Sequence, residues 1–175
     1  MSKNYKLILP LIFAAFIGIS ACSNDTGPRN AQFLTLTELR VTPGFEWFDQ
    51  EYNNYQPDTN IINQIKAKLQ MGGNDEFILY VNPSCACTGT QKQFPASIKI
   101  LHESGIDEPR FKIYSMYSEG DNHPDMTRFK VNDLPTFFNR RDSIPVYSIM
   151  DSLTFYSISQ PQNDWTIEEF VLRAL

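Results

Sequence analysis

Two cysteines with one residue between them are the side chains in this sequence best suited to covalent chemistry. Cys85 and Cys87 lie in the stretch YVNPSCACTGTQ, after an apolar run and before a segment with helical periodicity. Thiols at this spacing can form a redox-active disulfide, hold a soft metal ion, or pack as small apolar side chains at the start of a helix. The choice among these depends on the compartment and on the elements that position the pair.

The N-terminal residues have the pattern of an export signal. Lys3 and Lys6 precede the uncharged run 7–19, which ends in ISAC with small residues before Cys22. This run is shorter than the about 20 apolar residues that span a membrane. Its ending resembles a bacterial lipobox, which implies cleavage before Cys22 and attachment of lipid to that cysteine. We therefore expect 1–21 to be a lipoprotein signal peptide and the mature chain to be lipid-anchored in the cell envelope, on the outer membrane or the periplasmic side.

The charge and cysteine content of the mature chain narrow its function. Residues 1–21 contain two lysines and no acidic residue, so their removal leaves 13 basic and 20 acidic residues and a net charge of −7. This balance, without any basic run, argues against a nucleic-acid partner. The remaining length suits one domain that is stable without disulfides. Because export implies an oxidising compartment, redox chemistry is favoured for the remaining pair, Cys85 and Cys87.

The mature chain divides into a tether, an extension and a domain. Residues 22–32 are polar and contain Gly and Pro, which is typical of a flexible tether. Residues 33–57 form an aromatic-rich extension, in which Phe33–Val41 is predicted to be a strand. The aromatic residues of the extension are expected to pack over one edge of the domain; they are Phe45, Trp47, Phe48, Tyr52 and Tyr55.

Residues 58–175 alternate between helical and strand patterns. The uninterrupted apolar run FILYV, 77–81, predicts a central strand buried on both faces. Before this strand we predict a helix that is capped by Asp58 or Thr59 and stops at Gly72-Gly73. After it we predict a helix ending at Gly105, a strand at 111–117 and a short helix at 123–131. The last predicted elements are a strand from Thr136, at least one strand within 144–158, and a helix with Thr166 and Glu169 as a capping box. This order predicts an α/β fold in which a central mixed sheet is flanked by helices.

Three of these features together resemble the thioredoxin superfamily. A buried strand runs into a cysteine at a helix start, Pro95 lies inside that helix, and DLPTFF follows fifty residues after Cys85. More narrowly, WFDQEYNNYQPDTNIINQI with FPASIKIL is similar to exported thioredoxin-like proteins common in Bacteroidetes. The resemblance covers about 58–175 and implies a thioredoxin-like fold with an N-terminal extension. It also implies a cis peptide bond at Leu134-Pro135, where backbone is presented to an extended thiol substrate.

The resemblance implies roles for the site residues. Cys85 would take the first position of the family's C-x-x-C motif as the attacking thiol, because a helix N-terminus favours the thiolate. Thr88 would take the second position and either donate its hydroxyl to the thiolate or cap the helix. Cys87 would be an additional, resolving thiol. Substrate binding is expected at Leu134, Pro135 and Thr136, no cofactor is expected, and the implied partners are exported proteins with thiols or disulfides.

Two departures from the family pattern keep other functions open. Ser84 stands where many members have Trp, and the strand FILYV lacks the buried acidic residue that many thioredoxins carry. A disulfide between Cys85 and Cys87 would close a very small ring, so we expect it to be easily reduced. The alternatives are a redox-inactive binding or scaffold lipoprotein of thioredoxin fold, a copper(I)-binding protein that uses the two thiols, and a peroxidase.

The histidines add little to a metal hypothesis. His102 follows an apolar helix stripe, and His123 lies in the turn-rich stretch EGDNHPD. A tetrahedral zinc site needs four ligands, and only the two cysteines are paired by sequence. We therefore predict no metal site and expect both histidines to have structural roles.

Overall fold

A computed structural model of the chain describes residues 27–85 and 87–175. The predicted signal peptide 1–21, Cys22 and the first residues of the tether lie outside the described residues. The described part has five strands and six helices. In chain order these are β1 (Gln32–Leu34), α1 (Leu36–Val41), α2 (Phe48–Asn54), α3 (Thr59–Gln70), β2 (Asp75–Val81), α4 (Thr88–Glu103), β3 (Phe111–Ser115), β4 (Thr136–Arg141), β5 (Ile144–Ser148), α5 (Ile149–Ser159) and α6 (Ile167–Ala174).

The strands form one mixed sheet in the order β1-β3-β2-β4-β5. The central strand β2 pairs in parallel with β3 and antiparallel with β4. The edge strands β1 and β5 run antiparallel to β3 and β4, respectively. Residues 77–81 of β2 are all buried. The predictions of an α/β fold with a mixed sheet flanked by helices, and of a buried central strand, are therefore confirmed.

The alternating side chains of β2 contribute to two separate cores. Phe77, Leu79 and Val81 join the larger cluster, to which the helices also contribute. Ile78 and Tyr80 lie on the opposite face, in a smaller cluster completed mainly by residues from β4 and the connection between β3 and β4. Because successive side chains of a strand point to opposite faces, an uninterrupted apolar run is the pattern that such a strand requires.

The extension packs against α4 and against the turn that follows β2. Phe45 and Phe48 are buried, and their rings lie 6.2 and 5.8 Å from the ring of Phe94 on α4. Gly44 has a φ of +98°, and a β-carbon there would lie 2.6 Å from the carbonyl oxygen of Pro83. Only glycine fits this position without displacing backbone. The extension thus supports the segment that leads to the cysteines.

Two sequence predictions of secondary structure were wrong, and a third was confirmed but incomplete. The predicted strand 33–41 ends at Leu34, because the Thr35 hydroxyl accepts the Glu38 N–H and the Glu38 carboxylate accepts the Thr35 N–H, which begins a helix. The predicted helix at 123–131 is a series of turns. The prediction of at least one strand within 144–158 is confirmed by β5. The sequence did not predict α5, which begins after Ser148, whose hydroxyl accepts the Asp151 N–H at 3.4 Å.

A buried polar network holds the second face of the sheet to the connection between β3 and β4. The Tyr80 hydroxyl donates to Asp125 at 2.9 Å and accepts from His123 Nδ1 at 3.1 Å. Arg140 then joins Asp125 to Glu76, at 2.9 and 2.6 Å. Burial raises the pKa of the Tyr80 hydroxyl, and the adjacent Asp125 carboxylate raises it further, so Tyr80 stays protonated. His123 therefore has the structural role that its sequence context suggests.

The two histidines of the chain should make its stability fall in mild acid. Burial lowers the pKa of His102 and of His123 below 6.5, because desolvation disfavours the imidazolium. As pH falls through 6.5, both histidines bind protons in the unfolded chain but stay neutral in the folded chain. The free energy of unfolding therefore decreases. Urea unfolding at about pH 7.5 and about pH 5.5 measures this decrease. The double variant His102→Asn, His123→Asn should show a smaller decrease, and an undiminished one would contradict the assignment.

Candidate active site

The turn after β2 is fixed to the neighbouring strand by Asn82. Its side-chain oxygen accepts the Ser84 N–H at 2.8 Å, and its carbonyl oxygen accepts the Cys85 N–H at 3.3 Å. The side-chain amide nitrogen of Asn82 donates to the carbonyl oxygen of Tyr117, just beyond β3, at 3.0 Å. The position of Cys85 is therefore set by a single asparagine that joins the ends of two parallel strands.

The helix α4 begins about two residues later than the sequence suggests. Its first residue is Thr88, and Cys87 is its N-cap, with φ −72° and ψ 135°. The Cys87 carbonyl oxygen accepts the Gln91 N–H at 3.1 Å, which is the first bond of the helix. The prediction that Cys85 lies at the helix start is thus corrected, because the residues that adopt helical geometry begin after Cys87.

The N-terminus of α4 has neither a side-chain cap nor an acidic side chain in its first turn. The unpaired N–H groups of a first turn and the macrodipole of a 16-residue helix both favour a negative charge at this end. The sulfur best placed to use that field is the one on the N-cap residue, Cys87.

Cys85 and Cys87 are joined by a disulfide bond, and their Cα atoms are 5.2 Å apart. The two residues differ in exposure, since Cys85 is half-buried and Cys87 is exposed. Of the two cysteines, Cys87 is therefore the residue more open to a reactant from solvent.

Thr90 is the residue that connects the disulfide to the rest of the site. Its hydroxyl is 2.9 Å from Cys87 Sγ and 3.4 Å from the Leu134 carbonyl oxygen, and its side chain is buried. A disulfide sulfur has no hydrogen, so only the Thr90 hydroxyl can donate in the contact with Cys87. Because that hydroxyl has a single hydrogen, it donates either to the sulfur or to the Leu134 carbonyl oxygen at any moment. Sequence reasoning missed Thr90 because it counted the motif from Cys85; counted from Cys87, CTGT is a C-x-x-T motif that ends at Thr90.

Thr88, the residue expected to assist the thiolate, lies elsewhere. It is the exposed first residue of α4. Within residues 27–85 and 87–175, its side chain forms no hydrogen bond with either cysteine. Its assigned role remains a prediction, and the geometry favours Thr90 instead.

A cavity of about 320 Å³ adjoins Cys87. It is lined by residues that include Cys87, Thr90, Gln93, Leu134, Pro135 and Asp151. The Leu134-Pro135 bond is cis, as the resemblance implied, whereas Thr136 is buried at the start of β4. The structure thus brings Cys87, Leu134 and Pro135 to one cavity, with Thr90 between them.

No protein-family model, curated protein or solved structure matches this chain. The described residues also contain no group of three or more His, Cys, Asp or Glu side chains that could hold a metal ion. Among the helices of the described part, none is long and apolar enough to cross a membrane. The function must therefore be argued from the site itself.

Removing the Thr90 hydroxyl should slow any reaction of the Cys87 thiolate. Thr90→Val keeps the shape of the side chain but deletes the donor 2.9 Å from the sulfur. A hydrogen bond to a charged group contributes about 1.5–3 kcal/mol, so thiol alkylation at neutral pH should slow by roughly tenfold or more. Mass spectrometry after timed alkylation of the reduced protein measures the rate at each cysteine.

Two matched variants control this measurement. Thr90→Ser keeps a hydroxyl and should restore most of the alkylation rate at Cys87. Thr88→Val deletes an exposed hydroxyl on the same turn and should change the rate less than about twofold. A larger effect at Thr88 than at Thr90 would return the supporting role to Thr88.

Proposed function

We propose that the chain is a thiol-disulfide exchange protein of thioredoxin-like fold, in which the Cys85–Cys87 disulfide reacts with thiols of exported proteins. The observation that carries the proposal is the Thr90 hydroxyl, which lies within reach of both the Cys87 sulfur and the Leu134 carbonyl oxygen beside the cavity that Cys87 lines. Such a cavity leaves room beside the sulfur for an extended peptide that carries a thiol.

The topology supports the thioredoxin-like fold. The unit β2-α4-β3 places a helix between two parallel strands, and the antiparallel pair β4-β5 precedes α5 and the closing helix α6. The cysteines precede the first helix of this unit, and Pro135 immediately precedes β4. The edge strand β1 comes from the extension and runs antiparallel to β3, so the extension adds to the sheet as well as to the helical layer.

The geometry favours Cys87 over Cys85 as the sulfur that receives the substrate. Cys87 is exposed, lines the cavity and caps α4, whereas Cys85 is half-buried in the turn that Asn82 holds. We therefore assign the reacting sulfur to Cys87 and the resolving sulfur to Cys85, which reverses the roles expected from the sequence. Leu134 and Pro135 are assigned to substrate binding, as expected.

The exchange balances without a cofactor. A substrate thiolate attacks Cys87 Sγ, the bond between the two cysteine sulfurs breaks, and Cys85 leaves as a thiolate that takes a proton from solvent. A second substrate thiolate then attacks the mixed disulfide, and the Cys87 thiolate leaves. The substrate dithiol is oxidised to a disulfide, and the Cys85–Cys87 pair is reduced to two thiols. The Thr90 hydroxyl and the open end of α4 stabilise the Cys87 thiolate as it departs.

The proposal places this chemistry in the cell envelope. Its support is the sequence alone, since the export signal and Cys22 lie outside the described residues. An anchored protein with an acidic surface would meet exported proteins as they fold. The membrane contact is then made by lipid on Cys22, and the partners are proteins with free thiols or disulfides.

Mixing the purified disulfide form with a synthetic dithiol peptide tests the proposal. Mass spectrometry should show the peptide losing two hydrogens while the protein gains two, faster than the peptide oxidises in buffer. An unchanged peptide would contradict exchange. Binding of copper(I) by the reduced protein without any exchange would instead support a metal-binding function, because soft thiolates select that ion.

A further inference from the structure

A second cavity of about 400 Å³ lies beside the first, with walls from α2, α4, α5 and the start of α6. Its lining includes Tyr55, Lys92, Ala96, Leu153, Trp165 and Ile167. Gln93 lines both cavities, and both α4 and α5 contribute residues to each. The two cavities are therefore neighbours that meet at Gln93, along α4 and α5, and together they extend away from Cys87. The pair of cavities is called the groove below.

The length of this groove suits a short extended peptide. On α4 the second cavity is lined by Lys92, Gln93 and Ala96, five to nine residues after Cys87. At a helical rise of about 1.5 Å per residue, these residues lie about 8–14 Å from Cys87 along the helix axis. An extended chain covers the middle of that range in about three residues, at about 3.3 Å each. A peptide cysteine at Cys87 would thus place its third neighbour in the second cavity.

The lining of the second cavity indicates what that neighbour should be. Tyr55, Leu153 and Trp165 offer apolar surface for a large side chain. The Trp165 indole N–H is buried without a hydrogen-bond partner in the described part of the chain, and Trp165 lines the cavity. A buried donor without a partner is destabilising, so a ligand carbonyl that reached this N–H would gain from pairing with it.

Charge gives the groove a second preference. Asp133 and Asp151 line the cavity at Cys87, and Glu51 lines the second cavity. Among the described residues, Lys92 is the single cation in the lining of either cavity. A groove with an excess of carboxylates attracts a positively charged segment more than an acidic one.

We propose that this groove binds basic peptide segments that carry an aromatic or large aliphatic side chain three residues from the reacting cysteine. The inference rests on the proposed function, since it names the substrate class of the same site. The peptide binds along α4 with its cysteine at Cys87, its large side chain beside Trp165 and its basic residue near Asp133 and Asp151. The extension and α6 thereby acquire a role in specificity, through Tyr55 and Trp165.

Peptides that cannot react test binding apart from exchange. The probe is fluorescein-labelled Lys-Ser-Ala-Ala-Phe, in which serine replaces the cysteine, titrated with the wild-type disulfide protein by fluorescence anisotropy. Replacing its Phe by Ala, or its Lys by Glu, should each weaken binding by about five- to tenfold. The indole N–H resonance of Trp165 should shift on addition of the first peptide; Trp47→Phe identifies it, because the chain has two tryptophans.

A matched pair of variants on α5 tests the charge preference by changing the protein instead of the peptide. Thr154 is exposed and lines the cavity at Cys87, whereas Ser157 is exposed one turn further on and lines neither cavity. Thr154→Lys should weaken binding of the basic peptide by about fivefold or more, and Ser157→Lys by less than about twofold. Equal affinity for all three peptides, or an unmoved Trp165 resonance, would overturn the groove proposal.

The binding and exchange results separate the two proposals. Selective binding of the serine peptides without any exchange of a dithiol peptide would contradict the exchange function and support the proposed peptide groove. Exchange at the same rate for cysteine versions of all three peptides would keep the function and overturn the groove.

Discussion

Replacing Cys87 with serine should abolish thiol-disulfide exchange, whereas replacing Cys85 should stop the reaction after its first step. Without Cys87 the exposed sulfur that lines the cavity is gone, and the remaining thiol is half-buried in the turn held by Asn82. The rate of exchange with a disulfide peptide should fall by more than about a thousandfold, as expected for loss of a nucleophile. In Cys85→Ser, Cys87 should still attack, and the mixed disulfide should accumulate because its resolving thiol is absent.

Non-reducing mass spectrometry of the two variants after incubation with the same disulfide peptide measures this difference. The account predicts a peptide adduct on Cys87 in Cys85→Ser and almost none on Cys85 in Cys87→Ser. Accumulation in Cys87→Ser instead would restore the roles expected from the sequence, with Cys85 as the attacking thiol. Exchange that continues in the double variant Cys85→Ser, Cys87→Ser would show that neither cysteine takes part.

Replacing Arg140 with methionine should have the largest effect on stability. The guanidinium group is 12% exposed and lies between Asp125, which is 4% exposed, and Glu76. Burial alone would raise the pKa of Glu76, but hydrogen bonds from Arg140 and Lys112 outweigh it and lower that pKa. Removing one partner from such a network leaves a buried charge uncompensated, which costs about 3–5 kcal/mol of the free energy of unfolding.

Urea unfolding at neutral pH measures this loss, and an exposed ion pair supplies the control. Arg40→Met removes the partner of Asp49 at a site where both side chains are about half-exposed, so it should cost less than about 1 kcal/mol. The lowered pKa of Glu76 means that its contribution is present above 4.5 and is lost in more acidic solution, so the effect of Arg140→Met should shrink there. A similar cost for both variants at neutral pH would contradict the importance of the network.

The parts of the fold that the sequence predicts are those in which one local pattern has a single structural solution. An apolar run such as 77–81 must be buried on both faces, and it forms the central strand. Asp58 caps α3 by accepting two N–H groups, and Glu169 accepts the Thr166 N–H at the start of α6. These signals lie within a few residues of the element that they define.

The elements that were predicted wrongly or not at all lie in segments where two patterns compete. Residues 149–158 are apolar and rich in residues that favour strands, yet they form α5, which packs on α6 and β4. Thr35 and Glu38 begin a helix inside a stretch whose threonines favour a strand. In both cases a side-chain cap and tertiary contacts outweigh intrinsic propensity. The caps are local signals, but the tertiary contacts cannot be read from the order of residues alone.

The site shows the same limit at finer scale. The segments that form the site could be predicted, because a strand followed by cysteines and a distant DLPTFF together indicate such a site. The roles of the two cysteines depend on which residue caps α4, and helix boundaries are uncertain by one or two residues in any sequence-based prediction. A shift of two residues moves the cap from Cys85 to Cys87 and the partner hydroxyl from Thr88 to Thr90.

The central claim is that Cys87, at the open N-terminus of α4, is the reactive sulfur. The most direct measurement is the alkylation rate of each cysteine as a function of pH in the reduced protein, resolved by mass spectrometry. The account predicts that Cys87 reacts faster than Cys85 and remains reactive well below about pH 8.5, at which a simple thiol is half ionised. Faster reaction at Cys85, or ordinary titration of both thiols, would contradict it.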